Sequence, residues 1–233
     1  MSRKLAIVFG GSRGIGAASV TALARDGFDV GYTYVSAKPG GSTKAYHANV
    51  EDAASVAEVF SQAKRDFGRA PDVVLANAGI NVPPAPLATF PAQEFRRLVE
   101  INLVGAFNVL AEAARQTQDG GAIIAVSTSL VRHAAPNLGP YVCTKAAVES
   151  LVRSLAKELA PRRIRVNAVA PGPVDTDLFR NGKSQEAIQR SAAMSPFNRV
   201  GTPEEIAEVV AFLASEKASW IHGQIVQPNG GLV

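Results

Sequence analysis

Phe9-Gly10-Gly11-Ser12-Arg13-Gly14-Ile15-Gly16 joins an apolar run, Leu5 to Phe9, to an amphipathic stretch, Ile15 to Arg25. A short apolar run closed by glycine reads as a buried strand, and the stretch after it as a helix. Glycines at 10, 14 and 16 give the spacing GxxxGxG instead of the commoner GxGxxG. Glycine lets the backbone turn tightly and approach a ligand closely. The first helical turn then offers unpaired N–H groups and the positive end of its dipole. Strand, glycine loop and helix in this order predict a site for an anion such as a pyrophosphate.

Outward from this loop the same alternation continues. Asp29 to Tyr34, Asp72 to Ala76, Ala122 to Ser127, Arg165 to Ala170 and Gln224 to Val226 read as further strands. Helical periodicity marks Ala53 to Phe67, Gln93 to Gln116, Tyr141 to Leu159 and Thr202 to Ala214. The last opens on a Thr202/Glu205 capping box with Pro203 at its first position. Nearly continuous apolar strands separated by helices predict an α/β fold: a single Rossmann-type, doubly wound parallel sheet with helices on both faces. No linker or repeat divides residues 1–233, so one dinucleotide-binding and catalytic domain is expected. One connection breaks the pattern. Val35 to Ser42, ahead of a possible strand at Thr43 to His47, is too short for a crossover helix. Either that helix is absent or residues are missing from the sequence; the second is our working hypothesis, which an intact mass would check.

Composition narrows the function. With 47% hydrophobic and 19% charged residues, the 233-residue chain is built to bury a core. A net charge of +4 without a basic run interleaved with aromatics argues against nucleic acid. Arg162, Arg163 and Arg165 read as a solvated helix end. No apolar run is long enough for a membrane span or signal peptide, and Cys143 stands alone; both predict a cytoplasmic protein. His47, His133 and His222 lack metal-ligand spacing, so no metal is expected. Cys143 reads as a packing residue, and Trp220 and Phe212 as core or subunit contacts.

Two further groups carry chemistry. Arg13, inside the glycine loop, can meet the 2′-phosphate of a dinucleotide. Thr33, Tyr34, Val35 and Ser36 close the second strand without the acid that would bind ribose hydroxyls and repel that phosphate. Lys38 adds charge nearby. These features predict NADP(H) over NAD. Tyr141 and Lys145 lie one helical turn apart, on one face. An ammonium there would lower the phenol's pKa from about 10 and fit it for proton transfer. Ser127, Thr128 and Ser129, at the end of the preceding strand, offer a hydroxyl to a substrate oxygen.

Together these residues resemble the short-chain dehydrogenase/reductase family, near its 3-oxoacyl-acyl-carrier-protein reductase branch. The resemblance runs through the glycine loop, Ala76-Asn77-Ala78-Gly79, Asn102, Tyr141-Val142-Cys143-Thr144-Lys145, Arg165-Val166-Asn167-Ala168-Val169, Pro171-Gly172-Pro173-Val174-Asp175-Thr176 and Asn229-Gly230-Gly231. It implies Tyr141 as general acid, Lys145 on the nicotinamide ribose, and Asn102 holding a water of the proton relay. Gly10, Ser12, Arg13, Gly14, Ile15 and Gly16 would hold the phosphates, with Tyr34 and Ser36 beyond the second strand. Asn77, Ala78 and Gly79 would contact the adenosine side, and Asn49 and Val50 the adenine. Pro171, Gly172, Val174 and Thr176 would flank the nicotinamide.

Phe9 departs from the family's threonine and loses a local hydrogen bond. Gap-free counting puts the family's serine at Thr128, while Ser129 has the expected side chain, so both stand as candidates. The expected reaction is NADPH-dependent carbonyl reduction, with a 3-oxoacyl thioester as first substrate and a small ketone, sugar or steroid as alternatives. The stretch 177–196 would form the lid. Its Arg180, Lys183 and Arg190 would face an acidic acyl carrier protein or water. A homotetramer follows from the resemblance, with the helices at Gln93–Gln116 and Tyr141–Leu159 in one interface. The rival from another class is a catalytically silent NADPH sensor or assembly subunit.

Overall fold

The computed structural model describes residues 3–36 and 42–233. The strands are β1 (Leu5–Phe9), β2 (Asp29–Tyr34), β3 (Lys44–His47), β4 (Val73–Ala76), β5 (Ala122–Val126), β6 (Arg165–Val169) and β7 (Ile225–Val226). They form one parallel sheet in the order β3-β2-β1-β4-β5-β6-β7. The order turns back between β1 and β4, so the loops leaving these strands splay apart at their carboxyl ends. That crevice is where doubly wound sheets bind ligands.

Strand alternation divides the core between two faces. Ile7, Phe9, Val74, Ile123 and Val166 point to one side. There they meet α2 (Ala53–Phe67), α4 (Gly105–Gln116) and, after the short α5 (Leu130–His133), α6 (Gly139–Leu159) through Val56, Phe60, Leu110, Val148 and Val152. Ala6, Val8, Leu75, Ile124 and Val169 point to the other side, against Leu23 of α1 (Gly14–Arg25) and Ile206, Val210 and Leu213 of α9 (Pro203–Ala214). Ala22, Ala207 and Ala211 form a small-residue contact that lets α1 and α9 approach closely. The expected capping box is present: Thr202 accepts from the Glu205 amide, and Glu205 from the Thr202 amide.

Three expectations are corrected. Gln93–Gln116 is not one regular helix. It comprises α3 (Ala92–Leu98), a π-helical turn at Val99–Val104, and α4. Asn102 sits within the wide turn, fully buried, and the next residue but two, Gly105, lies so close to the Val50 loop that a Cβ would stand 2.6 Å from Val50 Cγ2. Arg162 and Arg165 are not solvated charges. Arg165 is buried and donates to the carbonyls of Leu213, Ala214, Ser215 and Ala218 at the end of α9. Arg162 donates to the carbonyls of Ala114 and Thr117 at the end of α4. Each guanidinium satisfies orphan carbonyls at the negative end of a helix dipole. Cys143 is exposed, not packed, with its thiol donating to the Pro140 carbonyl, while Trp220, 97% exposed, keeps only the subunit-contact alternative.

β3 pairs parallel with β2, Tyr34 opposite His47. The described part of their connection contains no helix. Lys38 and the hypothesis of missing residues fall within 37–41, outside the described residues. His222 joins two layers: its Nδ1 accepts from the Val166 amide, while Nε2 faces the Ala156 carbonyl at 2.7 Å. No helix among the described residues is long and apolar enough to cross a membrane, and no group of three His, Cys, Asp or Glu side chains there suits a metal.

Candidate active site

The glycine loop lies at the switch point because β1 ends there beside β4. Gly10 has φ +75°, and a Cβ on it would come within 2.8 Å of Ala78 Cα. At Gly16 a Cβ would stand 2.0 Å from the Gly10 carbonyl oxygen and 2.6 Å from Asn77 Nδ2. Asn77 itself donates to the Gly10 carbonyl at 2.8 Å, tying the loop after β4 to the loop after β1. Thr33 was read only for the absence of an acid around it. Its buried hydroxyl accepts from the Gly10 amide at 2.9 Å, so this loop has a hydroxyl partner despite Phe9. Finding it required the β1–β2 pairing.

The N-terminus of α1 is left open. Arg13 precedes it in extended conformation without capping it, and the first turn holds no acid. By contrast, Asp52 caps α2 and Thr202 caps α9. Ser12 and Arg13 are exposed, and Arg13 forms no ion pair among the described residues. Thr176 leans over the loop: a Cβ on Gly14 would lie 3.2 Å from its methyl group. Tyr34 packs edge-on against His47, and Ser36 is exposed at the end of β2. Asn49 is exposed and accepts from the Glu51 amide, while Val50 is buried, its carbonyl accepting from Asn108.

Across the crevice, the end of β5 meets α6. Tyr141 is half-buried, with its phenol turned toward the Thr128 hydroxyl. Burial pushes its phenol up to about 12, and the bond to Thr128 pulls the other way. Lys145 is buried; its Nζ donates to the Val126 carbonyl at 2.9 Å, and burial pushes it down to about 8. Lys145 is not among the causes of the phenol's shift here. In this arrangement burial governs both groups and drives them toward their neutral forms.

The two candidate hydroxyls are placed differently. Ser129 is buried and its hydroxyl is engaged by the Pro171 carbonyl, to which it donates at 2.9 Å. Thr128 is the hydroxyl beside Tyr141. Asn102 spends its side chain on Ile80, accepting from the amide at 2.8 Å and donating to the carbonyl at 2.9 Å. A Cβ on Gly79 would stand 3.1 Å from Asn102 Oδ1 and 3.4 Å from Lys145 Nζ, so the segment 77–80 runs between the glycine loop and the Tyr–Lys face. The loop after β6 closes the other side. Pro171 and Val174 are buried, and Gly172 donates to the Pro228 carbonyl at 3.1 Å.

Beyond it, Thr176 caps α7 (Asp177–Arg180), which α8 (Gln185–Ala193) follows. Arg180 is paired with Asp175 on the surface, and Lys183 lies 4.1 Å over the Phe179 ring. Leu178 and Met194 are exposed; Phe179 and Ile188 are partly covered.

A family model described as enoyl-(acyl carrier protein) reductase matches residues 10–233. The chain is 37% identical to the 3-oxoacyl-[acyl-carrier-protein] reductase of Staphylococcus aureus, with 98% of each chain covered. It is 35% identical to a chloroplastic NADPH-dependent aldehyde reductase-like protein of Arabidopsis thaliana, covering 100% of this chain and 95% of that one. That alignment runs to 257 positions against 233 residues here, so the relative has residues without a counterpart in this chain. A solved short-chain dehydrogenase/reductase from Serratia marcescens superposes with a TM-score of 0.90 at 34% identity, covering 98% of this chain and 97% of that one.

The chain belongs to the short-chain dehydrogenase/reductase family. It is an NAD(P)-dependent oxidoreductase of the kind that reduces carbonyl groups. The residues present fit such a dinucleotide. The α1 amides are uncapped, and glycine at 10 and 16 lets the loop close against segment 77–78 and back on itself, where a Cβ would collide with Ala78 or the Gly10 carbonyl.

Proposed function

We propose that the protein is an NADPH-dependent carbonyl reductase in which Tyr141 donates the proton and Thr128 orients the substrate oxygen. The observation that carries this reading is the α6 face on which Tyr141 lies one helical turn from buried Lys145, whose Nζ donates to the Val126 carbonyl two residues before Thr128. Bound NADPH supplies the hydride that forms the new C–H bond at the carbonyl carbon. As the carbonyl π pair moves onto oxygen, the Tyr141 O–H bond breaks and its proton completes the alcohol. A phenol held at about 12 is fully protonated at neutral pH, the form a donor needs. The phenolate left behind is stabilised by the Thr128 hydroxyl and the Lys145 ammonium until water returns the proton. Asn102, by holding Ile80 through both its amide and its carbonyl, fixes the segment that lies against Lys145.

The preference for NADPH rests on Arg13, exposed and without an ion pair among the described residues, and on Thr33 to Ser36 offering no acid. The two relatives named for NADPH-dependent aldehyde reduction and 3-oxoacyl reduction agree with a carbonyl substrate. A 3-oxoacyl thioester remains our first substrate, with Leu178, Phe179, Ile188 and Met194 as apolar lining. Phe107, exposed on α4, fits the subunit contact of a homotetramer. Loss of reduced-nicotinamide absorbance over a panel of 3-oxoacyl thioesters, aldehydes and ketones tests the reading. Turnover with NADPH well above that with NADH supports it; binding of NADPH without turnover of any carbonyl overturns it in favour of a sensor.

A further inference from the structure

We propose that Glu149 is a positioning residue for the Tyr141–Lys145 pair, acting through Ser127. Glu149 follows Lys145 at the same interval at which Lys145 follows Tyr141, so three successive turns of α6 present the three side chains on one face. Each meets the end of β5. Tyr141 reaches Thr128, Lys145 donates to the Val126 carbonyl at 2.9 Å, and Ser127 donates to Glu149 Oε1 at 2.8 Å. The strand alternation that turns Ile123 and Ala125 toward α6 turns Ser127 the same way. The last residue of β5 and the two that follow it therefore face three consecutive turns of the helix, with Val126 and Ser127 bonded to it.

Ser127 and Glu149 are both buried. A buried carboxylate is costly, and a well-packed apolar pair would hold strand to helix at least as firmly. What the carboxylate adds is direction: a charge-assisted hydrogen bond fixes register where apolar contact allows sliding. Sliding of α6 along β5 would part the phenol from Thr128, and misplacements of about an ångström cost reactions large factors in rate. The other partner of Glu149 is Arg153, at 3.6 Å and half exposed, a helix-surface pair of the weak kind.

This inference rests on the reductase reading, and its test keeps the two apart. Ser127→Ala and Glu149→Ala are each expected to lower kcat roughly tenfold or more, with KM for NADPH little changed. Their combination is expected to be no worse than either alone, because they remove one bond. Glu149→Gln, whose amide oxygen still accepts from Ser127, recovers most of the loss, and Arg153→Ala stays near the parent. Ser127→Ala removes a single oxygen atom and serves if Glu149→Ala does not fold. An active parent with kcat unchanged in Ser127→Ala overturns the inference alone. So does an Arg153→Ala loss equal to that of Glu149→Ala, which would make the surface pair responsible. A parent that reduces no carbonyl overturns the reductase reading and this inference with it.

Discussion

Replacing Lys145 with methionine is expected to abolish turnover and yet to stabilise the cofactor-free protein at pH 7. Burial lowers the lysine from 10.5 to about 8. At 1.36 kcal/mol per pH unit, holding this buried ammonium costs the folded state roughly 3 kcal/mol. Methionine fills similar space without charge, but leaves the Val126 carbonyl without its donor, a loss of about 1 kcal/mol. The net gain is therefore about 2 kcal/mol. Its sign depends on pH. Below pH 8 both folded and unfolded chains carry the proton, and the penalty is complete. Between 8 and 10.5 the folded lysine is already neutral while the unfolded one still binds a proton, so the parent gains stability as pH rises. Methionine has no such gain, so its advantage falls to zero near about pH 9.5 and reverses to about 1 kcal/mol in favour of the parent by pH 10.5. Tyr141, raised from 10 to about 12, contributes stability that is lost as pH climbs through that window, but it does so in both proteins and cancels. Urea unfolding of both proteins at pH 7 and pH 10 measures the gap. A methionine variant less stable than the parent at pH 7, or a gap independent of pH, would refute the reasoning.

Three other outcomes follow from the geometry. Thr128→Ala is expected to lower kcat by about 100-fold or more, whereas Ser129→Ala acts mainly on stability, by about 1 kcal/mol, through the lost hydroxyl bond to the Pro171 carbonyl, which keeps the Ser129 amide as a donor; kinetics paired with unfolding curves separate them. Gly16→Ala places a methyl 2.0 Å from the Gly10 carbonyl, so NADPH binding measured by fluorescence titration is expected to be lost or weakened beyond about 100-fold. Arg13→Ala is expected to weaken NADPH binding by about 10–100-fold and leave NADH binding nearly unchanged, as read by the two dissociation constants.

Much of this arrangement was legible in the residues because it is local. β1, β2 and α2 have the bounds that apolar runs, turn residues and periodicity gave them, and the Thr202/Glu205 box needed only its spacing. The Tyr141–Lys145 face was equally local. What escaped depends on contacts distant in sequence. The π turn around Asn102 is stabilised by Ile80, and periodicity alone cannot register one wide turn in a long helix. Arg165 looks solvated until β6 is placed beside the end of α9. The choice between Thr128 and Ser129 turns on which way each hydroxyl points at the end of β5, and sequence counting is blind to that. Spacing places a charge one turn from the Tyr141 phenol but is blind to the depth of burial that also acts on its pKa.

The central claim is that the Tyr141 proton completes the carbonyl reduction. Its most direct test is the rate of NADPH oxidation with a 3-oxoacyl thioester by the parent and by Tyr141→Phe, each first shown to bind NADPH. The account predicts turnover by the parent and a loss of at least about 1,000-fold in the phenylalanine variant, with NADPH affinity retained. Turnover that survives in Tyr141→Phe would contradict it.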